Sequence, residues 1–240
     1  MNKGQAAVIS KLQQDILRME GYKPPVSGQR DQVGLGPVEA VFPNGVFPLA
    51  AVHEMVCANT EQAAATGGFI SGILAVLMQH GGICVWIGRA RRLYAPALAG
   101  FGIPPHRVIF INLKKDLEAL WVMEEALKCN GLSAVVCEVR ELDFKQSQRL
   151  QRMVAYSRVT GFVLRNAAEK LGSTACAGRW QVKPLPSSGL DGLPGLGYLR
   201  WQVELLKVRN GSGGKWVLEW RQDHFVPMEE VRIAEERLVG

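Results

Sequence analysis

From residue 49 onward the chain alternates short apolar runs with stretches of helical periodicity. Leu49–Met55, Ile83–Ile87, Val108–Leu113, Ala134–Val139 and Gly161–Leu164 are brief, nearly continuous hydrophobic segments. That is the pattern of strands buried on both faces. Between them, Phe69–Met78, Tyr94–Phe101, Asp116–Cys129 and Lys145–Arg158 read as helices. Phe69–Met78 is apolar nearly all round, which predicts a buried helix. Gly81-Gly82, Gly102 and Asn130-Gly131 supply the stops. Strands alternating with helices predict βαβ units, and so an α/β fold with a mostly parallel sheet and helices on both faces.

After residue 172 the pattern changes. Ala175–Pro184, Leu199–Arg209 and Lys215–Arg221 read as strands. A Gly/Pro/Ser-rich loop over 186–197 and the Asn210–Gly214 turn separate them, predicting an antiparallel C-terminal extension with a hairpin at the sheet edge. At the other end, Val8, Leu12, Ile16 and Met19 lie on one face of an amphipathic helix over residues 5–20. Residues 21–37, with three prolines and four glycines, read as a linker. The expected organisation is an N-terminal helix and linker over 1–35, a core domain over 36–225 and a charged tail over 226–240.

Composition adds limited constraint. The chain has 240 residues, 48% hydrophobic and 21% charged, enough for one sizeable domain core. A net charge of +6 is compatible with nucleic acid or with an acidic protein surface and selects neither. Cys57, Cys84, Cys129, Cys137 and Cys176 include no CxxC, and three of them sit in apolar runs. Free thiols in a reducing cytoplasm are expected. The four histidines lack ligand spacing, so no metal site is expected. No signal peptide and no membrane span are expected either.

In such folds chemistry gathers at the carboxyl ends of the strands. A phosphate-binding loop there reads GxxxxGK[ST]: its glycines let backbone N–H groups cradle phosphates, and its lysine reaches the β/γ-phosphates. Here Val56–Gly68 holds no lysine and no glycine before Gly67, and no lysine occurs between Lys23 and Lys114. The degenerate nucleotide-site positions read from the chain are Thr66, Gly67, Gly68 and Glu138. Glu138, ending a strand, is suited to holding Mg²⁺, or else to capping the strand or pairing with nearby arginines. With the parts list incomplete, no catalytic residue and no cofactor are expected, and ATPase activity is not. Arg89, Arg91, Arg92, Arg140, Arg149 and Arg152, with Lys145 and Arg158, are candidate contacts to DNA phosphates or to a protein partner; the alternative is a solvated basic face. Trp180, Trp201, Trp216 and Trp220 read mainly as packing residues. His53-Glu54 looks like an acid/base pair, but neighbours on a strand point to opposite faces.

The element order over residues 49–164 resembles the RecA core. More closely, Phe42–Pro48 leading into Val52-His53-Glu54, Val85–Gly88, Arg179-Trp180, Leu199-Arg200-Trp201 with Leu205, and Trp216–Trp220 resemble the ImuA family of RecA- and SulA-related proteins from bacterial mutagenesis cassettes. The resemblance covers roughly residues 35–225. It implies a RecA-like core and a role in damage-induced mutagenesis. The partners it implies are ImuB, an inactive Y-family polymerase homologue, an error-prone replicative-type polymerase, and RecA itself. Against RecA the chain departs where catalysis lives: the general-base position falls near Ala90, Glu138 stands where RecA has aspartate, and the position of RecA's nucleotide sensor falls near Asn166, which completes the set of degenerate nucleotide-site positions. The competing functions are a SulA-like division inhibitor that binds FtsZ and a divergent RecA-type NTPase.

Overall fold

The computed structural model describes residues 33–79, 81–88, 93–166, 171–188 and 197–228. These form a unit with one nine-stranded sheet, ordered β3-β2-β4-β5-β1-β6-β7-β8-β9. The strands are β1 Val52–Cys57, β2 Ile83–Gly88, β3 Val108–Asn112, β4 Leu132–Val139, β5 Thr160–Asn166, β6 Gly178–Ser188, β7 Tyr198–Val208, β8 Gly214–Arg221 and β9 His224–Met228. The first five pair in parallel, and β6 is also parallel to β1. From β6 onward the ladder is antiparallel.

Three α-helices flank the sheet: α1 Thr60–Leu77, α2 Asp116–Ala126 and α3 Phe144–Ser157. Handedness decides which face each covers. The chain leaves β1 towards β2 and β3 in one direction and returns through β4 and β5 in the other. Right-handed crossovers therefore place α1 on one face and α2 and α3 on the opposite one. The two cores follow this division. Phe69, Ile73, Trp86, Phe162, Trp180 and Trp201 pack on the α1 side. Val52, Val85, Met123, Val135, Leu150 and Val163 pack on the other.

Several sequence expectations shift. The helix expected at Phe69 begins at Thr60, because Asn59 caps it and three alanines carry it forward. Tyr94–Phe101 forms a 3-10 helix over Ala95–Phe101, closed by Gly102 at a φ of 75°. The helix expected to reach Cys129 stops at Ala126. Val33 and Leu35, assigned to a linker by composition, are buried, and Glu39 accepts the backbone N–H of Val33 at 3.0 Å. β9 follows the predicted hairpin; its Pro227 lies against Gly36, where an added Cβ would sit 2.6 Å from the proline ring. The helix expected over residues 5–20 and the tail segment Glu229–Leu238 lie outside the described residues. Among the described residues no helix is long and apolar enough to cross a membrane.

Candidate functional site

The connection from β1 to α1 is only Ala58 and Asn59. Asn59 Oδ1 accepts the Gln62 N–H at 2.8 Å, and Gln62 Oε1 accepts the Ala58 N–H at 3.0 Å. Gln181 of β6 donates to the same Gln62 oxygen at 3.3 Å. A helix N-terminus attracts anions because its first N–H groups lack partners. Here the Asn59 side-chain oxygen takes one of those N–H groups, that of Gln62. Glu61 adds a negative charge in the first turn.

Thr66, Gly67 and Gly68, which sequence spacing assigned to the phosphate loop, lie within α1, past its first turn. A Cβ on Gly68 would stand 3.2 Å from the Trp201 ring, and one on Gly72 would stand 2.5 Å from Phe225 and 3.0 Å from Trp220. The glycines thus form a shallow face on α1 that receives aromatic rings from β7, β8 and β9. Thr66 is buried and accepts from the Cys57 thiol at 3.4 Å.

Glu138 lies two residues along β4 from the level of Trp86 on β2, on the same sheet face. The Trp86 indole N–H donates to Glu138 Oε1 at 2.9 Å, and Glu138 is 6% exposed. Asn166 ends β5 opposite Cys57, with a buried Oδ1 that has no hydrogen-bond partner. The structure therefore gathers Cys57, Thr66, Glu138 and Asn166 at the carboxyl ends of β1, β4 and β5. Burial pushes the Cys57 thiol up, with the Glu138 charge adding to it and the Thr66 hydrogen bond opposing it.

His53 and Glu54 point to opposite faces of β1, as strand geometry requires. His53 stacks on Phe47 with ring centroids 4.4 Å apart. Its Nε2 lies 2.8 Å from the Pro48 carbonyl, and the Trp180 indole donates to its Nδ1 at 3.2 Å. That arrangement fits a neutral imidazole carrying its proton on Nε2. Burial lowers its pKa to about 4. Glu54, fully buried on the other face, accepts from Arg165 at 2.7 Å, Arg179 at 2.8 Å and Thr174 at 2.7 Å. This knot joins β1, β5 and β6 and has the character of a structural support for the site.

The basic candidates separate. Arg89, Arg91 and Arg92 lie outside the described residues. Arg140 and Arg149 reach α2, pairing with Asp116 at 3.6 Å and Glu124 at 2.6 Å. Arg152, Lys145 and Arg158 are exposed. Of the four late tryptophans, Trp180, Trp201 and Trp220 are buried and Trp216 is partly so. The exposed indole is Trp121 on α2, at 61%. A helix whose buried residues are Ala119, Leu120 and Met123 leaves position 121 facing outward, so the heptad phase was the signal that could have found it.

No protein-family model matches the chain. Among solved structures, it is similar to the RadB recombinase (TM-score 0.55, 12% identity, 82% of this chain and 100% of that one). It is also similar to a KaiC-like protein from Pyrococcus horikoshii OT3 (TM-score 0.52, 15% identity, 82% and 98%). The fold is thus RecA-like, a mostly parallel sheet with flanking helices and antiparallel C-terminal strands. Among curated relatives, the proteins called ImuA from two strains of Caulobacter vibrioides are each 32% identical over 194 residues, covering 76% of this chain and 80% of the relative. With that identity over most of both chains, the chain belongs to the ImuA family.

Proposed function

We propose that this protein is a non-catalytic accessory factor of bacterial DNA-damage-induced mutagenesis, working in the cytoplasm as part of a translesion-synthesis assembly. Its partners in this reading are an ImuB-type polymerase homologue and an error-prone replicative-type polymerase, with RecA as a further contact. Family membership supports the mutagenesis role. The observation that carries the non-catalytic part is the two-residue turn after β1, fastened by the Asn59 and Gln62 side chains and too short for a glycine-rich phosphate loop. The missing lysine supports it further. So does Glu138, whose carboxylate already accepts from Trp86.

Damage-induced mutation frequency in a deletion strain, with and without the protein restored, tests this reading. Induced mutagenesis should collapse on deletion while unchallenged growth stays normal. Unchanged mutagenesis would contradict it, and filamentation after damage, with FtsZ captured by the protein, would install division control in its place.

A further inference from the structure

The polar side of α3 carries one sign of charge. No carboxylate occurs between Phe144 and Arg158. Lys145, Arg149, Arg152 and Tyr156, all exposed, follow one another at intervals of four, three and four residues. At 3.6 residues per turn these positions fall within one narrow sector, a stripe roughly 16 Å long. Tyr156 is 87% exposed, unusual for an aromatic side chain with no internal role. Beside it a groove of about 310 Å³ opens between the end of α2 and α3, lined by Lys128, Asn130, Met153, Tyr156 and Ser157.

We propose that this stripe and groove form a docking site for an acidic peptide segment of a protein partner, one carrying a single apolar anchor residue. The charge complementarity is already displayed within the fold: Arg149 holds the Glu124 carboxylate at 2.6 Å. Arg152 and Lys145 offer the same chemistry to an incoming chain. The groove has room for one or two side chains. Its apolar wall, Met153 and the Tyr156 ring, suits a Leu, Ile or Phe, with Lys128 at the rim. A nucleic-acid strand fits less well, since it brings no aliphatic side chain for the Met153 wall of the groove. Nothing in this inference depends on the mutagenesis role, and its test reads binding alone.

The test is selection of a random 12-residue peptide display library on the full chain, followed by fluorescence anisotropy of the enriched peptides. The expected outcome is enrichment of peptides with at least two acidic residues and a Leu, Ile or Phe. Their affinity should fall at least tenfold in Arg152→Glu and in Tyr156→Ala and survive in Arg152→Lys. Both side chains are exposed, so unchanged melting temperatures separate lost binding from lost folding. Peptides without acidic bias, or affinities unmoved by both variants, would overturn the proposal. An oligo(dT) strand that binds and is lost in Arg152→Glu would assign the stripe to nucleic acid and overturn it equally.

Discussion

The Ala58 backbone N–H donates to the side-chain oxygen of Gln62, four residues along the chain, at 3.0 Å. Together with the Asn59 cap this fastens the two-residue turn between β1 and α1. The first prediction concerns stability. Asn59→Ala should cost about 1 kcal/mol, the usual loss for an N-cap, read as a lowered urea midpoint with unchanged slope. An unchanged midpoint would mean the cap is idle and the turn is held otherwise.

The glycines of α1 are fitted to aromatic rings. Gly72→Ala would press a methyl group against Phe225 and Trp220. A loss of about 1–3 kcal/mol is expected from such overpacking. A neutral or stabilising effect would show that β8 and β9 do not pack on α1 as described.

Glu54 is the common acceptor for two buried guanidinium groups. Removing its charge in Glu54→Gln leaves Arg165 and Arg179 without their carboxylate in a dry environment. That should cost about 3–5 kcal/mol and show as an early thermal transition or poor soluble yield. Wild-type-like melting would refute the knot.

His53 gives the fold a pH dependence. Its folded pKa, about 4, lies below the ordinary value of 6.5. Between those values the unfolded chain binds a proton that the folded chain refuses. Stability from this group is therefore fully present above pH 6.5 and is lost as pH falls to 4, by about 3 kcal/mol over the window. Denaturation at a series of pH values should show this slope in the wild type and a shallower one in His53→Gln. Equal slopes would remove His53 as the cause.

The parallel core was legible because its strands are continuous apolar runs, and β2, β3 and β4 fall within two residues of the pattern. The start of α1 was not. Val56–Gly68 invites comparison with a phosphate-loop template, whereas the local signal, an Asn59 cap followed by Ala63–Ala65, points to a helix. The use of Gly68 and Gly72 was hidden because their ring partners lie far along the chain, at Trp201, Trp220 and Phe225. Glu54 was equally opaque, with Arg165 and Arg179 removed by 111 and 125 residues. Glu138 lies near the end of β4, where the apolar run Ala134–Val139 put it, while β5 runs on past the expected Leu164 to Asn166.

Calorimetric titration of the full chain with Mg²⁺ and ATP tests the proposal that this RecA-like fold works without nucleotide. No heat beyond dilution and no phosphate release are expected. Stoichiometric heat that disappears in Glu138→Ala would contradict it and return the protein to the nucleotide-binding members of its fold.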